Sequence, residues 1–165
     1  MKLADGKPLN LIILGDVGAG KATQSAYFAK KYKLRDFDMG LELTMLRQKN
    51  SEVDTAQRRT ADKGILTPTK IVRGILERTI TGTNNQQGIL FDGHPKMIGE
   101  AKIVTKLLEQ TKRSKPLVIY LSIPQTETVA RIKHRQGYKN TTFAKRSDDT
   151  LSGLKNRARY YREQI

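Results

Sequence analysis

The chain has 165 residues, of which 37% are hydrophobic and none is cysteine; 31 Lys and Arg against 16 Asp and Glu give a formal charge of +15. That length suits one domain with a real core and is short for two. Without cysteine there is no disulfide and no cysteine-ligated zinc, and with two histidines far apart, His94 and His134, a histidine-rich metal site is not expected.

Read in chain order, the sequence alternates apolar runs with helical stretches. "LNLIIL" (9–14) reads as a buried strand, followed by a glycine-rich turn and a helix over 21–32. The longest apolar run near the amino terminus, Leu11 to Leu14, is too short for a signal-peptide core or a membrane span; the mean hydropathy of −0.57 fits a soluble protein, and the absence of cysteine fits a cytoplasmic one. "LRDFDM" (34–39) is a weaker strand, with helices expected at 40–48, 52–63 and 68–81, Thr67 as N-cap and Pro68 in the first turn. "GILFDG" (88–93) and "PLVIYLSI" (116–123) are further strands, separated by a helix at 97–112. Pro124 opens a helix over 124–135, and Ser147-Asp148-Asp149 another over 148–164. Short continuous apolar runs separated by helices predict a doubly wound parallel α/β sheet of about four strands. One domain, 1–165, is expected, with a helical insertion at 40–81 and a short loop at 136–147.

The turn "GDVGAGKATQ" (15–24) lies between the first strand and the first helix. A phosphate-binding loop has Gly, four residues, Gly-Lys, then Ser or Thr. Gly15, Gly20 and Lys21 fit; Ala22 stands at the hydroxyl position and Thr23 follows one place later. Backbone N–H groups and the positive helix end can hold phosphate there, with Lys21 reaching toward a transferred group. The competing reading is a simple glycine-rich turn. Asp92 ends the apolar run 88–93, which places it at the carboxyl edge of a strand, where ligands of such sheets bind. It reads either as a carboxylate holding Mg²⁺ largely through water, with Thr23 near the same ion, or as a turn residue before Gly93. Arg131 and Arg135 are spaced to share a helix face, with Val129 and Ile132 able to face the core; alone they are equally a solvated basic stripe. The charge excess implies polyanionic company, in nucleotide phosphates or nucleic acid, or else a solvated basic surface.

Four blocks in order give these signals a common context. The loop resembles that of the adenylate kinase family, Gly-x-Pro-Gly-x-Gly-Lys-Gly-Thr-Gln, through Gly15, Gly18, Gly20, Lys21, Thr23 and Gln24; Val17 replaces the proline and Ala22 the fourth glycine. "FDGHPK" (91–96) is similar to the family's Asp-Gly-Phe-Pro-Arg, "RIKHR" (131–135) to its Arg-x-x-x-Arg, and "RSDDTLSGLKNR" (146–157) to its Arg-x-Asp-Asp followed by a later arginine. The late threonine is therefore that family's own pattern.

The resemblance implies a P-loop kinase fold and transfer of the γ-phosphoryl of Mg·ATP to AMP or a related nucleoside monophosphate. It implies an ATP side made of Gly18, Ala19, Gly20, Lys21, Ala22, Thr23, Arg131 and Arg135. Catalytic cations would be Lys21, Lys96, Arg135, Arg146 and Arg157. The last two would grip phosphates, for which bidentate guanidinium groups are suited. Asp148 and Asp149 would fasten a closed lid of the short form, 136–147. The acceptor side would draw on Met39, Gly40, Arg47, Gly93, His94, Pro95, Lys96, Glu100, Arg146 and Arg157.

That side departs from the family pattern: Thr44 stands where an AMP-binding arginine is expected, with Arg47 one turn later as its only replacement. Lys96 replaces an arginine, His94 a phenylalanine, and Glu100 a glutamine that reads adenine; a carboxylate cannot offer the amide's donor. A catalytically weak ATP-binding homologue with a degraded acceptor site is thus the alternative. The family continues into a fifth strand and closing helix, whereas this sequence stops at Ile165, which implies a fragment or a four-stranded sheet. Nucleic acid has no supporting motif: the six Tyr and four Phe form no stacking pattern. A monomer is expected.

Overall fold

A computed structural model describes residues 2–49, 67–124, 126–128 and 130–131. Its elements run β1 (Leu11–Gly15), α1 (Lys21–Tyr32), β2 (Arg35–Asp38), α2 (Met39–Lys49), α3 (Thr69–Gly82), β3 (Ile89–Asp92), α4 (Ile98–Gln110) and β4 (Leu117–Leu121). The four strands form one all-parallel sheet in the order β2-β3-β1-β4. The expected fold class is what the chain adopts.

Alternation along the strands divides the core between the two faces of this sheet. Ile12, Phe37, Ile89 and Phe91 point to one face, where Val72, Ile75, Leu76 and Ile80 of α3 and Val104, Leu107 and Leu108 of α4 cover them. Leu11, Ile13 and Leu90 point to the other, against Phe28, Ala29 and Tyr32 of α1. The two central strands carry side chains that must be buried on both sides, which is why their sequences read as unbroken apolar runs. β4 differs. As an edge strand it leaves Leu117, Val118 and Tyr120 more than half exposed, although its sequence is as apolar as that of β1.

A polar tie fastens the amino-terminal ends of three strands. Asn10, fully buried, donates through Nδ2 to Ser114 O (2.9 Å) and Ser114 Oγ (3.0 Å), and accepts through Oδ1 from Ile89 N–H (3.0 Å). Ser114 Oγ in turn donates to Pro8 O at 2.7 Å.

The helix ends show one correction. Thr67 does not cap α3: Pro68 is the N-cap, in extended conformation, and no side chain caps the helix. The proline ring presets the backbone for a helix start, but the first N–H groups of α3 receive no side-chain acceptor. After β4, Thr128 N–H bonds to Pro124 O at 3.1 Å, so a helical turn does begin at that proline. The helix expected at 52–63, within residues 50–66 of the insertion, the loop at 136–147 and the helix at 148–164 lie outside the described residues. Among the described residues no helix is long and apolar enough to cross a membrane.

Candidate active site

The parallel sheet brings the carboxyl ends of β1 and β3 side by side. Ile13 pairs with Asp92 in register, and Gly93 N–H bonds to Ile13 O at 2.8 Å. The loop after β1 therefore opens beside Asp92, as expected from its position in the sequence.

Two glycines make that loop possible. Gly15 has φ +147°, and a Cβ on it would lie 2.2 Å from Leu121 O, so any side chain would push the loop off β4. Gly20 is the left-handed N-cap of α1, with φ +85°, a conformation costly for other residues. Gly18 also has positive φ. No side chain caps α1 and its first turn has no acid. Without a capping side chain or an acid, the positive start of that helix is open to an anion, which is what a phosphate would need there. Lys21 bends back over the loop, its Nζ donating to Gly15 O and Asp16 O, both at 2.9 Å. It also lies against Gly93, where a Cβ would be 3.6 Å from its Cε. The ammonium thus stands between the loop and the end of β3. Ala22 and Thr23 are exposed at the start of α1.

Asp92 is partly buried. Burial pushes its carboxyl above the ordinary carboxylate range and the charges of Asp38 and Asp36 push the same way, while the Ser25 hydroxyl and Lys21 pull it down. Ser25 is itself buried on α1, and its Oγ has no hydrogen bond of good geometry among the described residues. A divalent cation would relieve this concentration of negative charge. Among the described residues no three acids or histidines cluster as a metal cage. A single half-buried carboxylate such as Asp92 would suit Mg²⁺, which keeps most of its waters and takes one or two carboxylates plus substrate phosphate.

On the other flank, Arg131 borders the loop: Nη1 reaches Gly18 O at 3.4 Å and Nε donates to Glu127 Oε1 at 2.6 Å. The structure thus brings Gly18, Ala19, Gly20, Lys21, Asp92, Gly93 and Arg131 together at the carboxyl edge of β1 and β3. Arg135, Arg146, Asp148, Asp149, Arg157, Val129 and Ile132 lie outside the described residues, as does the side chain of Arg47.

The acceptor-side residues meet at the turn from β3 into α4. The His94–Pro95 peptide is cis. Lys96 is exposed, and its backbone N–H donates to Glu100 Oε2 at 2.7 Å. Glu100, only 4% exposed, is the third residue of α4 and folds back over its start, much as the acid of a capping box does. His94 Nδ1 lies 3.6 Å from the same oxygen. The imidazole is buried edge-on to Phe37, ring centroids 5.9 Å apart. Burial, with Lys96 as a lesser cause, lowers its pKa to about 3, so it is neutral. Its Nε2 finds no partner among the described residues. Met39 is buried in the core at the start of α2, and Gly40 N–H is held by Asp38 Oδ1 at 2.7 Å.

Sequence reasoning passed over three residues. Asp38, paired in register with Asp92, caps α2 through Gly40 and Leu41 N–H; an aspartate just before a helix is the available signal. Ser25 lies two residues past Thr23 with no motif to mark it. Asp16 stands in the loop itself, bonded to the far end of β4, and nothing local announces that partner.

The chain is similar to several proteins described as adenylate kinases. It is 31% identical over 156 residues to that of Azobacteroides pseudotrichonymphae, covering 94% of this chain and 79% of that protein. It is 28% identical over 156 residues to that of Phocaeicola vulgatus, covering 94% and 80%. With that of Archaeoglobus fulgidus it shares 30% over 132 residues, covering 80% of this chain and 61% of that protein. These alignments span from about three fifths to four fifths of the relatives' length. The family model for adenylate kinase matches residues 13–165, and with the open start of α1, Lys21 and Asp92 in place at the carboxyl edge of β1 and β3, the chain belongs to the adenylate kinase family.

Proposed function

We propose that this chain is a nucleoside monophosphate kinase, transferring the γ-phosphoryl of ATP to AMP or a related monophosphate. The observation that carries the reading is the uncapped start of α1, with Lys21 folded over the loop beside Asp92 on the neighbouring strand. Phosphoryl transfer needs little covalent chemistry from the protein. It needs positioning and neutralisation of charge on the equatorial oxygens. The cradle N–H groups bind and orient the triphosphate. Lys21 would exchange its two carbonyl acceptors for phosphate oxygens. Arg131, already at the loop's edge, bounds the ATP side, with Arg135, Arg146 and Arg157 as further cations toward the transferring group. Mg²⁺, when bound with ATP by Asp92 and Thr23 largely through water, supplies neutralisation of phosphate charge. Met39, Gly40, Arg47, Gly93, His94, Pro95, Lys96 and Glu100 form the acceptor side in this reading.

A second reading has a specific observation behind it. Glu100 spends an oxygen on the backbone of Lys96 and is buried beside a neutral histidine. An acceptor side so committed internally favours an ATP-binding homologue with weak transfer. One experiment separates the two: purified protein is given Mg·ATP and each nucleoside monophosphate in turn, and diphosphate formation is followed. Turnover on at least one monophosphate that is lost in Lys21→Ala supports the kinase. ATP binding without turnover on any of them supports the alternative. Absence of ATP binding refutes both.

A further inference from the structure

Asp16 puts a carboxylate inside a loop built to receive polyphosphate. A charge facing the cradle would repel the ligand at short range. The carboxylate does not face it. Its Oδ1 accepts from Tyr120 Oη–H at 3.0 Å, and Oδ2 accepts from Ile123 N–H at 2.9 Å and Ser122 Oγ–H at 3.3 Å. All three donors belong to the end of β4 or the residues just after it. Burial alone would raise this carboxyl's pKa, but the three hydrogen bonds and the nearby Lys21 outweigh it and hold the group ionised.

The backbone of the same residue is equally committed. Asp16 N–H donates to Leu121 O at 2.9 Å, and its carbonyl accepts from Ala19 N–H (3.1 Å) and from Lys21 Nζ (2.9 Å). Residue 16 is therefore the joint between the loop, its lysine and β4. A second tie lies beyond β4, where Arg131 Nη1 reaches Gly18 O. β4 is an edge strand with a neighbour on one side only; Ile119 and Leu121 rest half-buried on the core while Leu117, Val118 and Tyr120 are exposed, and two of the three donors to Asp16 are on exposed residues.

We infer that Asp16 is a positioning residue. Its carboxylate clamps the phosphate loop to the carboxyl end of β4, and so fixes the loop amides and Lys21 where ATP phosphates bind. The role rests on the reading of the chain as an ATP-using phosphotransferase. It predicts that the loop and the segment carrying Arg131 move as one unit, and that loosening either side weakens ATP and leaves the acceptor side alone.

The test is ATP affinity by isothermal titration calorimetry, with KM for ATP and for the best monophosphate, on the full chain and on Asp16→Ala, Asp16→Asn, Tyr120→Phe and the Asp16→Ala/Tyr120→Phe double variant. Asp16→Ala should weaken ATP about tenfold, the loss expected from one strong charge-assisted hydrogen bond. KM for the monophosphate should stay within about twofold, since a uniform structural loss would change both or neither. Asp16→Asn should recover most of the affinity, because its carbonyl still accepts from Ile123. Tyr120→Phe should cost about two- to threefold alone and nothing further in the double variant, the non-additivity of groups that act through one contact. Additive effects, or unchanged ATP affinity in Asp16→Ala, overturn the proposal while leaving the kinase reading standing. If Asp16→Ala does not fold, Tyr120→Phe still decides it: an ATP affinity equal to that of the unmodified chain overturns the proposal. Failure of the unmodified chain to bind ATP removes the functional reading and the proposal together.

Discussion

His94 offers a sharp test of how the site is built, because its protonation is coupled to folding. The imidazole is 2% exposed, and burial with the Lys96 charge lowers its pKa from 6.5 to about 3. The unfolded chain takes up a proton that the folded chain refuses, so this group's contribution falls as pH drops below about 6.5 and keeps falling toward about 3. At pH 5 the deficit for such a pair of values is about 2 kcal/mol, and at pH 7.5 it is near zero. In a chain of this size that corresponds to a melting point lower by about 4–8 °C at pH 5. The raised carboxyl of Asp92 acts with the opposite sign, favouring the folded state on acidification. Comparing the protein with His94→Phe at both pH values cancels that contribution. The phenyl ring should pack on Phe37 as the imidazole does, remove the unpartnered Nε2, and leave stability at pH 7.5 equal or higher. Urea denaturation should show the unmodified chain losing about 2 kcal/mol more than the variant between the two pH values. His94→Gln, polar but not titratable, should share the flat profile. If all three chains lose stability equally, His94 is not buried as a neutral ring and the description of this pocket fails.

The remaining expectations concern the tie at the base of the sheet and the two sides of the site. Asn10→Ala should destabilise by about 2–4 kcal/mol in urea denaturation, since it strands Ile89 N–H and the Ser114 groups in the core and leaves a void. Asp92→Asn should lose most of the rate and the Mg²⁺ dependence of ATP binding; kinetics close to those of the unmodified chain would make it a turn residue. Lys96→Arg should lower KM for the monophosphate by restoring a two-pronged donor, with KM for ATP unchanged. A harmful Lys96→Arg would mean that the pocket is built around lysine.

What the sequence disclosed follows from how local each constraint is. Strand and helix positions are set by periodicity within a few residues, and α1 spans Lys21–Tyr32, the expected limits. Central strands must be apolar on both faces, so β1 and β3 advertise their place. β4 is equally apolar in sequence but lies at the edge with three large side chains exposed; composition does not encode position within a sheet. The cap of α3 was misplaced because Thr67 has the right chemistry, but Pro68 holds the N-cap position.

The site divides along the same line. Its ATP side is one loop between adjacent elements, where glycine conformations and a helix start are written in consecutive residues, and Lys21 and Asp92 follow from strand adjacency. What the sequence did not disclose about the two sides of the site lies in burial and in distant partners. Asp16 meets its hydroxyl partners 104 and 106 residues away, a pairing no window of sequence contains. Glu100 and His94 read from sequence as exchanged ligand contacts, yet their burial shows that each first answers a need of the fold: an N–H at the start of α4 and a gap beside Phe37. Exchanging Phe for His and Gln for Glu at such positions changes packing and charge under the pocket before it changes what the pocket touches. An acceptor-side variant should therefore be measured for stability and pH dependence before its KM is read as recognition.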